Sequence, residues 1–96
     1  MSLKKITIYY PSGRIHAEFN VDTNGTKQGA FEFFYDSYGS PLMKRGFYLN
    51  GQYHGPLKTW HKNGNKMLLT HFNAGQYFLY TCSWDESGNI KDYTRY

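Results

Sequence analysis

The chain has 96 residues and a formal net charge of +4, and 20% of its residues are aromatic (10 Tyr, 7 Phe and 2 Trp). This length corresponds to a single domain. The aromatic residues outnumber the larger aliphatic ones, which favours β-strands over a helical bundle and excludes a disordered chain. The basic residues are scattered, so the charge indicates a solvated surface rather than a dedicated phosphate-binding patch.

Eight β-strands are predicted, because short segments with partial apolar–polar alternation stand between turn signals. In the third of them, Phe31, Phe33 and Tyr35 share one face and Glu32 lies on the other. Since hairpin follows hairpin, we expect an all-β fold, an elongated antiparallel meander of about eight strands. The approximate ranges are 4–10, 14–22, 29–36, 42–49, 55–61, 65–73, 77–84 and 89–96.

The sequence also repeats itself, with a period of 24 to 26 residues. In each period an aromatic residue precedes a glycine by four positions. A second turn signal lies between successive periods, at Gly25, Gly51 and Gly75. One period therefore corresponds to one β-hairpin and the turn to the next. The aromatic–glycine pairs are Tyr9 with Gly13, Tyr35 with Gly39, Trp60 with Gly64, and Trp84 with Gly88.

These pairs divide the single domain, residues 1–96, into repeats of about 9–34, 35–59 and 60–83 and a partial repeat at 84–96. We expect the paired aromatic rings to stack from hairpin to hairpin, each covering a neighbouring glycine, so that small repeats share a continuous core. Four residues after the second turn signal stand Gly29 and Gly55, but Leu79 breaks this rule in the third repeat.

The middle of the chain resembles a known family. Residues 47–55 (FYLNGQYHG) and 59–66 (TWHKNGNK) look like the MORN-repeat variant of the YwqK-like antitoxin family, and the resemblance extends over roughly residues 9–96. It implies a single-layered antiparallel sheet of successive hairpins. The implied roles are protein–protein association, proposed toxin neutralisation and, for some MORN proteins, binding of anionic phospholipid. No catalytic residue carries over. The chain departs from the family pattern at three places: Leu79 replaces the second glycine, Val21 replaces an aromatic residue, and the turn at residues 73–75 is shortened. These departures indicate irregular outer repeats.

No complete set of catalytic or metal-binding residues is apparent. Of the four histidines, His16, His54, His61 and His71, we expect His61 and His71 to approach each other from neighbouring strands. Two histidines without a carboxylate in the same register form an incomplete site, so packing roles are favoured. The single Cys82 excludes an intrachain disulfide and a thiolate zinc site. We therefore predict no enzymatic activity, no metal and no cofactor.

A single-layered sheet cannot cover both of its faces, so a chain this rich in aromatic residues is expected to expose an aromatic patch rimmed by charge. Such patches are typical of partner surfaces. We predict a protein-binding module, antitoxin-like by the resemblance. The candidate binding residues are Tyr53, His54, Lys58, His61 and Lys62.

Other associations stay open. A basic aromatic surface can also bind anionic lipid or single-stranded nucleic acid. The two edge strands of an open meander can pair with a second copy into a homodimer. No apolar run approaches the ~20 residues of a membrane span, and no signal peptide is recognised near Met1, so we expect a cytoplasmic protein without a membrane-spanning segment.

Overall fold

The computed structural model describes residues 2–96, which contain one nine-stranded antiparallel sheet. Neighbouring strands in the sheet follow one another in the chain, and the short β5 pairs with β4 beside β6. The all-β meander expected from the sequence is confirmed. None of the described residues belongs to a helix that could span a bilayer. The strands are β1 (Lys4–Tyr9), β2 (Ile15–Val21), β3 (Gly29–Phe34), β4 (Leu42–Leu49), β5 (Gln52–Tyr53), β6 (Gly55–Trp60), β7 (Lys66–Asn73), β8 (Gln76–Trp84) and β9 (Ile90–Arg95).

Most hairpins close with the same kind of turn. In segments 10–14, 22–26, 61–65 and 85–89, the first N–H donates to the fifth carbonyl, and the fourth N–H donates to the first carbonyl. The fourth residue is a glycine with φ between +81° and +93°. This geometry is a turn followed by a left-handed residue, which glycine adopts without strain. The turn at residues 35–41 is longer and holds both Gly39 and Ser40 at positive φ.

The paired aromatic residues do not cover these glycines, so that expectation is wrong. Apart from each glycine and its two chain neighbours, no atom of the described chain lies within 4 Å of the position that a Cβ would take at Gly13, Gly39, Gly64 or Gly88. Instead, the strand register shifts immediately before Tyr9, Trp60 and Trp84. These aromatic residues therefore mark β-bulges that lead into the turns.

The extra strand β5 follows from the turn between the second and third predicted hairpins, at Asn50 and Gly51. Asn50 and Gly51, both at positive φ, form a tight two-residue turn that folds Gln52 back against Leu49. Gly55 then adopts φ +82°, and the pairing with β4 resumes farther along β6, with Lys58 opposite Arg45. A glycine at this point lets the strand change direction, and this interruption separates β5 from β6.

Leu79 adopts the same backbone conformation as the glycines it replaces. Its φ is +71°, compared with +81° at Gly29 and +82° at Gly55. A leucine in the left-handed region is strained by about 1–2 kcal/mol, because its Cβ approaches the following carbonyl. The side chain of Leu79 is still 49% exposed. The third repeat thus keeps the backbone geometry of the first two, although a strained leucine replaces the glycine at this position.

Strand alternation divides the side chains between two faces. The aromatic face carries Phe31, Phe33, Tyr48, Tyr53 and Phe72. Although the molecule is only 14 Å thick along its shortest axis, Phe31 is 1% exposed. The Tyr48, Tyr53 and Phe33 rings lie 4.4, 5.6 and 5.8 Å from it. The sheet therefore forms its core by laying rings over one another on one face.

Lysine side chains complete the aromatic face. Lys44 Nζ lies 4.5 Å from the centre of the Phe33 ring and donates a 3.1 Å hydrogen bond to Tyr53 Oη. Lys27 Nζ lies 5.1 Å from the Phe19 ring and 5.3 Å from the Tyr48 ring. Cation–π attraction holds these ammonium groups, while their apolar stems cover ring surface.

Gly46 is buried, and steric contacts explain why this position holds a glycine. A Cβ at Gly46 would lie 2.9 Å from Phe31 ring atoms and from Leu57 Cδ1. We expect Gly46→Ala to lower the free energy of unfolding by about 1–3 kcal/mol through overpacking, measured by urea denaturation. In the double variant Gly46→Ala/Phe31→Leu, the loss of unfolding free energy should be about 1 kcal/mol smaller than the sum of the losses in the two single variants. Strict additivity of the two substitutions would contradict the steric explanation.

Leu79→Gly tests the backbone strain. The substitution lowers the free energy of unfolding because side-chain burial is lost and glycine has greater freedom in the unfolded chain. Removing the backbone strain offsets these losses. We expect the free energy of unfolding to stay unchanged or to rise by up to about 1 kcal/mol. The matched control is Leu49→Gly, since Leu49 is 43% exposed but has no positive φ; it should lose about 1 kcal/mol. Equal losses in the two variants would argue against strain at Leu79.

Candidate binding surface

The predicted binding residues lie in different places. Tyr53 belongs to the aromatic face, whereas Lys58 lies on the opposite face, across from Arg45. His54 immediately precedes β6 and His61 immediately follows it, so the two histidines stand at opposite ends of that strand. Lys62 is exposed in the turn after His61. The structure therefore does not gather these five side chains into one cluster.

The expected approach of His61 and His71 is wrong. His71 lies opposite Pro56 in the pairing of β6 with β7, while His61 follows the other end of β6. Five strand positions separate Pro56 from His61, which corresponds to roughly 16 Å. In the part of the chain that the structure describes, no group of three or more His, Cys, Asp or Glu side chains could hold a metal ion.

His61 acts instead as a link between repeats. Its Nε2 donates to the Trp84 carbonyl at 2.8 Å. Tyr35 Oη donates in the same way to the Trp60 carbonyl at 2.6 Å, and Tyr10 Oη to the Phe34 carbonyl at 2.7 Å. Each bond spans 23 to 25 residues, which is one period of the repeat. These polar side chains hold successive hairpins in register at one end of the sheet.

A second set of links joins the turns at the opposite end. Gln28 Nε2 donates to Asn50 Oδ1 at 2.8 Å, and Gln28 Oε1 accepts the Asn50 N–H at 3.0 Å. In the next repeat, His54 Nδ1 accepts the Ala74 N–H at 3.1 Å. The equivalent position in the third repeat is Phe78, which has no polar atom for such a bond.

Three side chains have pKa values shifted by their surroundings. The Thr26 N–H, together with Gln28 and Asn24, donates to the Asp22 carboxylate and lowers its pKa, against a smaller opposing effect of burial. Burial raises the pKa of Tyr35, and the nearby Tyr10 adds to the shift. Burial likewise raises the pKa of Tyr48 on the aromatic face, with Tyr53 contributing.

The face opposite the aromatic face is called the charged face. A central row of residues on this face crosses the whole sheet, and each residue in the row lies opposite the next one on the adjacent strand. In order from β1 to β9, the row is Thr7, Glu18, Glu32, Arg45, Lys58, Leu69, Cys82 and Tyr93. The row passes from acidic to basic to apolar. The N-terminal and C-terminal halves of this face therefore differ in chemistry.

Charges in the N-terminal half are paired. The three ion pairs of the described chain all lie there, joining Lys5 to Glu18 at 3.2 Å, Arg14 to Asp36 at 3.5 Å and Arg45 to Glu32 at 2.6 Å. An open depression of about 240 Å³ beside them is lined partly by Glu18, Glu32 and Arg45. A partner at this place would compete with existing ion pairs.

Cations in the C-terminal half lack such partners. No Asp or Glu occurs between Asp36 and Asp85 in the sequence. Lys58 and Lys66 line a depression of about 270 Å³ together with Trp60 and Leu69. Among the described residues, no carboxylate lies within ion-pair distance of Lys58. This part of the charged face presents positive charge next to apolar side chains.

Exposed apolar side chains also concentrate at this end of the sheet. The large ones between residues 77 and 96 are Tyr77, Phe78, Leu79, Ile90, Tyr93 and Tyr96. The ring of Tyr80 lies 5.2 Å from His71 and 6.0 Å from Tyr93, which forms a ladder across β7, β8 and β9. A further depression, of about 340 Å³, is lined by His54, His71, Phe72, Phe78 and Leu79, among others. The side chains of Lys58, Leu69, His71, Phe78, Leu79, Tyr80, Tyr93 and Arg95 are together called the C-terminal surface.

Of the five predicted binding residues, only Lys58 lies on this surface. Leu79 was marked as a departure from the repeat, and that exception was the available signal for this end of the sheet. Phe78, Tyr80 and Tyr93 carried no signal of their own, because alternation within one strand does not show which rings meet across strands.

Comparison with known proteins gives no relative. No protein-family model matches the chain, and neither a curated protein nor a solved structure matches it.

Tyr35 and Tyr48 allow a test of the links at alkaline pH. Because their folded-state pKa values are raised, their stabilising effect is present below the unfolded pKa of about 10. It is lost as pH rises through the folded values. We expect Tyr35→Phe and Tyr48→Phe each to reduce the stability loss above pH 10, measured by chemical denaturation across pH.

The two tyrosine variants should differ at neutral pH. Tyr35→Phe removes the bond to the Trp60 carbonyl, and should lower the free energy of unfolding by about 1 kcal/mol. Within the described residues the Tyr48 hydroxyl has no hydrogen bond, so Tyr48→Phe should change stability little at pH 7. An equal loss in both variants at pH 7 would contradict the linking role of Tyr35.

Proposed function

We propose that this protein is a non-catalytic protein-binding module of the MORN-repeat kind, with an antitoxin-like role as the resemblance implies. The observation that carries the proposal is the C-terminal surface, where exposed aromatic and aliphatic side chains adjoin cations without carboxylate partners. Aromatic residues and arginine are enriched in the centres of protein interfaces. A patch of this composition on a soluble domain marks a partner site.

The use of the polar side chains supports a binding role rather than catalysis. His54, His61 and Tyr35 each make a hydrogen bond between repeats. Cys82 is buried in the central row between Leu69 and Tyr93. A catalytic set needs a nucleophile or general base beside an orienting partner, and these groups are engaged in the fold instead.

Binding of anionic lipid or nucleic acid is the second candidate. It is favoured by the basic depression that contains Lys58, Lys66 and Trp60. Lys66 Nζ also lies 5.1 Å from the Trp84 ring, which joins a cation to an aromatic surface. Stacking on aromatic rings beside lysines is how single strands are held without sequence preference. The protein partner is preferred, because the exposed apolar side chains outnumber the cations on the C-terminal surface.

The proposal is tested by affinity capture from the source lysate with the full chain as bait. We expect one stoichiometric protein to be retained after nuclease treatment and after washing from about 0.1 M to about 1 M salt, where the screening length falls from about 10 Å to about 3 Å. Tyr93→Ser should reduce its recovery. Tyr38→Ser is the matched control, since Tyr38 is exposed in the turn between β3 and β4.

Recovery of only nuclease-sensitive or salt-labile material would instead favour the second candidate, because phosphate contacts weaken steeply with added salt. Turnover of a substrate by pure protein, with no retained partner, would contradict the proposal as a whole.

A further inference from the structure

Residues 78 and 79 differ in chemical type from their counterparts in the first two repeats. The first two repeats place Gln28-Gly29 and His54-Gly55 at this point, and the third places Phe78-Leu79. The Gln28 and His54 side chains accept hydrogen bonds from the next turn, from the N–H groups of Asn50 and Ala74. The glycines hold a left-handed backbone without strain, whereas Leu79 holds it at φ +71°.

Both apolar side chains are only half buried within the chain. Phe78 and Leu79 are each 49% exposed. A strained residue that also leaves an apolar side chain in water is destabilising in the free protein. Strain of this kind persists where the residue contributes to a binding site. The side chains of Phe78 and Leu79 would be covered by a partner seated in the depression that they line with His71 and Phe72.

The charges around this depression define the partner. Arg95 lies opposite Tyr80 on the same face, and Lys58 lies farther along that face opposite Leu69. Neither a carboxylate nor a Lys or Arg side chain lines the depression itself, and the described chain has no ion pair to the neighbouring Lys58 or Arg95. A partner that brought cations here would meet uncompensated positive charge, whereas carboxylates would be attracted.

Three registers by which a second copy of the chain could pair with this edge are disfavoured. Two copies of β9 that pair antiparallel about a two-fold axis place residues of the same face opposite each other. An axis through Lys91 or Asp92 sets that side chain against its own copy, and an axis through Tyr93 sets Lys91 against Arg95. Like charges directly opposite each other destabilise a strand pair. The registers centred on Lys91, Asp92 and Tyr93 are therefore disfavoured for the homodimer that an open meander otherwise permits.

We propose that the C-terminal surface, with Phe78 and Leu79 at its centre, binds a protein segment that carries one or two large apolar side chains flanked by Asp or Glu. The apolar side chains cover Phe78 and Leu79, and the carboxylates face Arg95 and Lys58. This inference rests on the proposed protein-binding function and adds the location and the chemistry of the partner.

The decisive variant is Phe78→Gln/Leu79→Gly, which installs the residue pair of the first repeat. It removes both apolar anchors while relieving the left-handed strain, so it should fold at least as stably as the parent chain. The matched control is Ile8→Gln/Tyr9→Ser, since Ile8 and Tyr9 are 43% and 63% exposed on β1, at the opposite edge of the sheet. Urea denaturation verifies that both variants are folded.

The probes are synthetic twelve-residue peptides with Leu and Phe anchors flanked by Glu. Two control peptides replace every Glu with Lys or both anchors with Ser. We expect the acidic apolar peptide to bind the parent chain at least about tenfold more tightly than either control peptide, and the decisive variant to lose about tenfold in affinity. The control variant should stay within about twofold. Amide shifts on titration should concentrate in β7, β8 and β9.

Three results would overturn the inference: equal binding of the Lys peptide, unchanged affinity in the decisive variant, or binding of no peptide in the set. Phosphatidylserine vesicles are tested in parallel, and vesicle binding that the decisive variant abolishes would assign the surface to lipid instead. If the lysate partner of the parent chain is retained equally by the decisive variant, this inference fails while the protein-binding function stands. If no partner is retained at all, the proposed function itself fails.

Discussion

Within residues 2–96 the sheet has no second layer, and this constraint determines how its apolar side chains are buried. They can leave water only by packing against one another on one face. The rings of Phe31, Phe33, Tyr48 and Tyr53 do this, and the glycine at position 46 leaves the space that the Phe31 ring occupies. Lysine stems cover what the rings leave open, and cation–π contacts hold them there.

The same constraint explains why the polar side chains are used as links. A thin sheet with a repeated hairpin has few contacts between distant parts of the chain, so each repeat must be tied to the next. Tyr10, Tyr35 and His61 tie one end of the sheet, and Gln28 and His54 tie the other. Residue types that often perform acid–base chemistry elsewhere are here committed to holding the hairpins together.

The two halves of the charged face differ because acidic residues are unevenly distributed along the chain. Glu18 and Glu32 neutralise Lys5 and Arg45 in the N-terminal half. The absence of any Asp or Glu between positions 36 and 85 leaves Lys58 without a carboxylate. Exposed rings accumulate in the same half, together with a strained leucine. Apolar surface and unpaired positive charge thus occur together at one end of the sheet, whereas the charged face at the other end has its charges paired within the chain.

The period, the eight main strands and the positions of the turns could be predicted from the amino-acid sequence. These depend on neighbouring residues, since Gly13, Gly25, Gly64 and Gly88 supply the left-handed conformation wherever they stand. The exception at Leu79 could also be recognised from the period alone. The resemblance and the partner class stay predictions, because a glycine and aromatic pattern specifies architecture rather than activity.

Tertiary structure alone decided which side chains meet across strands. The bulges before Tyr9, Trp60 and Trp84 shift the register, and a shift of one residue moves every following side chain to the other face. The sequence does not encode such shifts in any simple alternation. For this reason the burial of Gly46 and the ladder of His71, Tyr80 and Tyr93 emerged only from the pairing of the strands. The separation of His61 from His71 already follows from the turn at residues 61–65, which places His71 far along the returning strand.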